Sequence, residues 1–292
     1  MITLIEAPSN LGLRPPAPGR EPGVRHMPDA LRRAGLATKL GVNGIQRVEA
    51  PPYHPQRETP SRIRNAAAIR AYSLKLAPVI EQTLQRGRFP LVIGGDCSIM
   101  IGSALALRRV GNYGLCFIDG HPDLLTPQSS QTGGAAGMDL ALVTGYGPDI
   151  LTAFDEQRPL MPISNVAVVA CRDCYVPDEL ADSGSQIFPL DELRAKGIPA
   201  IVQQVETITS ALDGIWIHLD VDVLDSDLMP AVDSPQPDGL NYDELSSLLR
   251  TLIATQRIAG MQVTIFDPDL DPDGQYAERL VEVIVAGLTG LS

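Results

Sequence analysis

With 292 residues, the chain is long enough to bury a substantial core, as one large α/β domain or two small ones, and no run approaches the ~20 apolar residues of a membrane span. A formal charge of −12, from 23 basic and 35 acidic residues, argues against nucleic acid or an anionic membrane as partner. Four cysteines do not make a disulfide framework in so long a chain. Cys171-Arg172-Asp173-Cys174 has CxxC spacing, but no second Cys or His pair stands nearby to complete a zinc knuckle. Both are expected as buried or half-buried thiols at a strand end. Residues 1–8 carry no basic, cleavable segment, and the expectation is a cytoplasmic, reducing home.

Residues 2–6 read as a first strand, followed by a Pro/Gly/Arg-rich surface loop over 8–24. Residues 27–34 read as a short helix, with Gly35 just past its end. After a Pro-rich stretch at 50–58, Thr59 is placed to cap a helix with Pro60 at its first position. That helix is expected to reach about Arg86, with Gly87 beyond it. Residues 89–93 form a buried strand ending in Gly94-Gly95-Asp96-Cys97-Ser98, residues 99–110 a helix, and residues 115–118 the next strand. Residues 139–143 are helical after a Gly/Ala loop, 166–170 form a strand, 186–190 lead into a helix, and 199–212 are helical. Residues 214–219 enter a ligand-rich segment, 242–254 are helical, 260–266 form a strand, and 277–288 the last helix.

Short apolar strands alternating with amphipathic helices predict an α/β fold whose mainly parallel central sheet is covered on both faces. With no internal repeat and no clear linker, residues 1–292 are expected to form a single domain. In such folds ligands sit at the carboxyl ends of the strands. Every polar cluster named below falls at such an end.

The first cluster is Asp119-Gly120-His121-Pro122-Asp123. Alternation along a strand would project Asp119, His121 and Asp123 together, and unpaired buried charge calls for a partner. A divalent cation is the simplest one. The second cluster holds His218, Asp220 and Asp222 in the same alternation, and the third is the turn containing Cys97. One such cluster more often caps the following helix than binds metal; two at strand ends point to metal. Oxygen ligands with one or two imidazoles suit Mn²⁺, and Zn²⁺, Ni²⁺ or Co²⁺ less selectively. Two metals sharing bridging carboxylates would activate a water as hydroxide.

These segments resemble the ureohydrolase family, which includes arginase, agmatinase, guanidinobutyrase and formimidoylglutamase. GGDCS at 94–98 is similar to the family's GGDHS, and IDGHPDLLTP at 118–127 to its DAHxDxxTP. HLDVDVLDSDLMPAVDSPQPDGL at 218–240 is similar to its DxDxxDPxxxPxxxxPxxGG, and CRDC at 171–174 falls where the family has a strand-end Arg-Asp. The resemblance implies a three-layer αβα fold and a two-manganese centre. By it, Asp119, His121, Asp220 and Asp222 would hold one metal; Asp119, Asp123, Asp220 and the residue at position 97 would hold the other. Asp119 and Asp220 would bridge, and Asp123 would also orient the hydroxide. It further implies a small-molecule substrate and a homo-oligomer, trimer or hexamer.

The chain departs from the pattern at several positions. Cys97 replaces a ligand histidine; a thiolate suits Zn²⁺ or Ni²⁺ better than Mn²⁺, and Cys97 is equally readable as a filler beside a weakened site. A branch that hydrolyses hydroxyarginine resembles this chain in having Cys there and in the DGH form of the second motif. Ile265 stands where a Glu pairs with guanidinium, leaving Asp267, one step along the same strand face, as a substitute substrate-binding carboxylate or a simple turn residue. By the same resemblance, Leu125 stands where an Asn would bind an α-carboxylate, the Asp expected soon after Arg172-Asp173 is replaced by Tyr175 or displaced, and Ala136 takes the place of a loop histidine assigned to proton transfer. His218 stands before the DxD where arginase has a small residue; it is a candidate proton shuttle or a satisfied neighbour of the ligands. His26 and His54 lie in loops and carry no assigned role. The expected function is metal-dependent hydrolysis of a C–N bond in a linear amidine other than L-arginine. The alternatives are a metal-poor binding protein without turnover and, third, covalent catalysis by Cys97.

Overall fold

Among the described residues there are eight strands, the central ones apolar runs: β1 Ile2–Ala7, β2 Ile45–Arg47, β3 Phe89–Gly94, β4 Tyr113–Ile118, β5 Val166–Val169, β6 Gln186–Phe188, β7 Gly214–Asp220 and β8 Ile258–Thr264. The computed structural model describes every residue except Asn43, Asp182 and Ser292. All eight strands join one sheet in the order β2-β1-β3-β8-β7-β4-β5-β6, and each neighbouring pair is parallel. Side chains alternate across the sheet. Leu115 and Phe117 of β4 therefore pack on one face, while Cys116 and Ile118 pack on the other. Helices Ala66–Gln85 and Met100–Val110 cover the first face; helices Ile198–Ile208, Tyr242–Ala254 and Gln275–Gly287 cover the second. The three layers are those expected. Among the described residues no helix is long and apolar enough to cross a membrane.

Several boundaries follow from local chemistry. Gly35 takes φ 89° just after the helix Met27–Arg33, a conformation that glycine adopts without penalty. The helix Tyr242–Ala254 begins where expected, because Asn241 and Glu244 bond each other's amides at 2.8 and 2.9 Å as a reciprocal cap.

The expected helix start at Thr59 is wrong. The helix begins at Ala66, because Asn65 is held in the left-handed region at φ 52°, accepting from the His54 amide at 2.7 Å and donating to Leu11 O at 2.9 Å. These long-range bonds override the local Thr-Pro signal. The helix expected over 199–212 ends at Ile208. Edge strand β2 was not foreseen, and residues 186–188, read as leading into a helix, form the other edge strand, β6.

Candidate metal centre

Strands β3, β8, β7 and β4 lie side by side and run the same way, so residues just beyond their carboxyl ends meet at one edge of the sheet. One local device recurs there. Asp119 accepts from the His121 amide at 2.7 Å, Asp220 from the Asp222 amide at 2.8 Å, and Asp96 from the Ser98 amide at 2.8 Å. A carboxylate that bonds the amide two residues on makes its own turn and ends the strand. This corrects the expected alternation: β4 stops at Ile118, and turning, with Asp123 at φ 46°, places the side chains of this segment.

His121 Nδ1 stands 3.2 Å from Asp222 Oδ2 and 3.6 Å from Asp119 Oδ1, and Gln236 meets its Nε2 at 3.0 Å. Three groups of ligand atoms each lie within 4.8 Å of one another: Asp119, His121 and Asp222; Asp119, His218 and Asp220; Cys97, Asp139 and His218. Asp123 borders the same carboxylates and Cys97. The six ligand positions implied by the resemblance are thus brought to one place.

Arg172 ties the ends of β4 and β7 together. Its amide donates to Gly120 O at 2.9 Å, and its guanidinium donates to Asp222 O at 2.5 Å and Val223 O at 2.7 Å. Gly120 permits this approach: a Cβ there would stand 2.5 Å from Arg172 Nη2 and 2.9 Å from Asp222 Oδ1. Arg172→Ala should therefore cost about 1.5–3 kcal/mol of unfolding free energy and weaken metal retention. A urea midpoint equal to that of the parent protein would contradict it.

Cys171 and Cys174, expected as thiols, are joined in a disulfide. Their Cα atoms are 5.7 Å apart across the turn that presents Arg172 and Asp173, within the ordinary bridging range. CxxC spacing alone does not give the pairing, because side-chain direction across a turn is not legible from spacing. The bridge also removes the cysteine-based reason for expecting a reducing compartment.

The electrostatics call for a cation. Asp119, Asp139, Asp220 and Asp222 are all buried. Burial, then repulsion from Asp222, pushes the Asp119 carboxyl up to about 7. Burial and neighbouring carboxylates likewise drive Asp123, Asp139 and Asp220 well up. Burial alone would lower His121, but contact with Asp119 and Asp222 outweighs it and raises the ring to about 12. Asp119 Oδ2 and both oxygens of Asp139 are buried without a hydrogen-bond partner. Buried acceptors of one sign, left without donors, are costly. Divalent ions coordinated by these oxygens would remove that cost, so the residues present fit a metal.

Cys97 is buried; its Sγ donates to Asp220 Oδ2 at 2.8 Å and lies 3.1 Å from Thr264 Oγ1. Burial, followed by Asp220 and three further carboxylates, pushes the thiol well up. Reactive cysteines need positive surroundings. Those of Cys97 are negative, which removes the basis for covalent catalysis.

His218 is fully buried, stacks on Phe117 with centroids 4.3 Å apart, and does not line the cleft. Trp216 Nε1, which can only donate, occupies Gln262 Oε1 at 3.3 Å and leaves the Gln262 amide nitrogen 2.7 Å from His218 Nδ1. Nδ1 therefore accepts, and the ring proton sits on Nε2, 3.9 Å from Asp119 Oδ2. Burial drives the ring down to about 3, so it stays neutral. A ring sealed from the cleft is not placed to shuttle protons to a substrate.

Asp267 accepts from the Asp269 amide at 2.9 Å and caps the short turn Pro268–Leu270; it does not line the cleft. The carboxylate expected to grip substrate is a turn residue. Ile265 does line the cleft, at φ 77°, with its amide donating to Gly95 O at 2.7 Å. A β-branched residue in that region is strained and must be held by its surroundings.

Above the cluster opens a cleft of about 220 Å³, lined by Cys97, His121, Asp123, Asp220 and Asp222. Leu125, Tyr175 and Ile265 line it as well. Asp173 and Asp233 are further carboxylates on it. Two partners escaped the sequence reading: Gln236, which positions His121, and Asp139, which was read only as the start of a helix. An Asp in the first turn of a helix is so common for local reasons that nothing in the sequence singled it out.

A parallel sheet with an acidic, histidine-containing ligand cluster at its carboxyl edge defines an α/β protein able to hold metal. The chain belongs to the Arginase family, whose sequence model matches residues 4–289; these hydrolases act on amidino C–N bonds. It is 29% identical to an arginase of Bacillus caldovelox, over 97% of this chain and 96% of that one. A solved structure of Bacillus caldovelox arginase superposes with a TM-score of 0.87 at 28% identity, covering 99% of this chain and 98% of that one. Formimidoylglutamase from Bacillus subtilis, 19% identical with a TM-score of 0.75 over 99% of this chain and 86% of that one, shares the fold. So does proclavaminate amidino hydrolase from Streptomyces clavuligerus, at 19% identity and a TM-score of 0.70, over 98% of this chain and 90% of that one.

Proposed function

We propose that the protein hydrolyses a C–N bond in a linear amidine other than L-arginine, at a centre of two divalent ions held by Asp119, His121, Asp123, Asp220 and Asp222. The reading is carried by His121, Asp123, Asp220 and Asp222 lining one small cleft, with Asp119 buried against them. The oxygen-rich donor set favours Mn²⁺. Bound there, divalent metal would supply a water of lowered pKa and positive charge to stabilise the reaction's developing negative charge.

The chain's own residues supply position and proton transfer. Asp123 keeps an edge on the cleft; there it orients the attacking water and accepts its proton. His218 keeps Nε2–H on the side of Asp119, 3.9 Å from its Oδ2 and short of a hydrogen bond, and stands as a neutral buried wall behind the carboxylates. With Asp267 occupied in its turn, Asp173 and Asp233 are the carboxylates left to meet an amidinium head from the cleft wall. Leu125 and Ile265 present apolar surface to the rest of the substrate. Arg14 also lines the cleft, near Asp233, as the cation for an anionic tail; L-arginine is disfavoured because Leu125 and Ile265 offer it no polar group.

A panel of guanidino, amidino and formimino compounds, assayed with Mn²⁺ for urea or ammonia release, tests this. At least one compound should exceed L-arginine in kcat/KM by about tenfold, a difference of about 1.4 kcal/mol in transition-state binding. L-Arginine as the best substrate would overturn the substrate assignment. Absence of turnover across the panel by fully metallated protein would favour a binding protein instead.

A further inference from the structure

The least satisfied group in the centre is one that the resemblance leaves unassigned. Asp139 is fully buried, and neither of its oxygens has a hydrogen-bond partner. The Leu140 amide and the Asp123 carboxyl lie close by, yet neither completes a hydrogen bond of proper geometry. Its other neighbours include Asp119 and Asp220, and an oxygen of Asp139 lies within 4.8 Å of both Cys97 Sγ and a ring nitrogen of His218. Among those three, two are already committed. Cys97 Sγ donates to Asp220 Oδ2, and His218 carries its proton on the nitrogen nearest Asp119, as the Trp216–Gln262 chain dictates. Asp139 is free to coordinate.

We infer that Asp139, rather than Cys97, completes the second metal position together with Asp119, Asp123 and Asp220, and that Cys97 remains a thiol donating to Asp220. Charge counting allows one of Asp139 and Cys97 to be ionised, not both, and the paired thiol against the unpaired carboxylate says which. Asp119, Asp123, Asp139, Asp220 and Asp222 carry five negative charges when ionised, and two divalent ions carry four positive ones. Adding a thiolate would bury two uncompensated charges instead of one, and uncompensated buried charge is what proteins avoid. The position then has oxygen ligands only, which suits hard ions and removes the selectivity for Zn²⁺ or Ni²⁺ that a thiolate would bring.

The inference rests on the two-metal reading above, and one set of measurements separates them. Wild type, Cys97→Ser and Asp139→Asn are dialysed against Mn²⁺ or Co²⁺ and analysed for metal per chain. Wild type and Cys97→Ser should hold two ions and Asp139→Asn one. The Co²⁺-loaded wild type should lack the near-ultraviolet charge-transfer band of a sulfur ligand. A thermal melt guards against a misfolded variant: metal-free Asp139→Asn should melt at or above the wild type, because an unpaired buried carboxylate has been removed, and should gain less on adding Mn²⁺. Two ions in Asp139→Asn, or a sulfur–cobalt band that Cys97→Ser abolishes together with one ion, would overturn the assignment and leave the two-metal reading standing. A wild type that binds no ion would overturn both.

Discussion

Asp220→Asn is expected to lower kcat/KM far beyond the about 10–100-fold typical of losing an outer partner of a metal site, and to strip at least one ion from the chain. Asp220 ends β7, accepts from both the Asp222 amide and Cys97, and is buried among the other carboxylates. Asparagine keeps the size and the bond to the Asp222 amide, so the turn survives. What it loses is the charge that two ions would share. Elemental analysis and turnover measured on one preparation check this; a variant with two ions and near-parental turnover would remove Asp220 from the centre.

The second large effect is on stability without metal. Folded Asp119 keeps its proton up to about 7, whereas in the unfolded chain it ionises near about 3.9. Between those values the folded protein binds the extra proton, so stability falls as pH rises through the window and levels off above it. His121, raised to about 12, adds a fall in the same direction above about 6.5. His218, held down to about 3, acts in the opposite sense, but only below about 6.5. From pH 6.5 to 8.5 the contributions from Asp119 and His121 therefore point one way. A group titrating over one unit contributes about 1.4 kcal/mol, or about 2–4 °C in a large domain. Chelator-treated protein should melt several degrees lower at pH 8.5 than at pH 6.5, and saturating Mn²⁺ should close the gap. A flat or rising profile, or no response to the ion, would contradict the centre's electrostatics.

The strands were legible because buried parallel strands are continuous apolar runs, and 89–93, 115–118 and 166–170 are such runs. The helix Tyr242–Ala254 was legible through its local cap. The start at Thr59 was misread because the deciding bonds reach from Asn65 to Leu11 and His54. The edge strands are short and half exposed, so they lack the apolar signal that betrays a central strand. In the centre, Asp119, His121, Asp123, Asp220 and Asp222 announced themselves by spacing within two short segments. Strand alternation does not extend beyond Ile118, where carboxylate-to-amide turns take over.

By itself the sequence determined the α/β class, the family resemblance and the ligand-bearing segments, because each depends on residues close together in the chain. Tertiary structure alone decided which side chains share a site. It buried His218 behind Phe117 and aimed its proton through Trp216 and Gln262. It turned Asp267 into a cap, closed Cys171 onto Cys174, and set Asp139 unpaired against Cys97. The physical reason is the same in each case: burial, hydrogen-bond direction and the sum of neighbouring charges belong to contacts between distant segments, and no spacing along one segment encodes them.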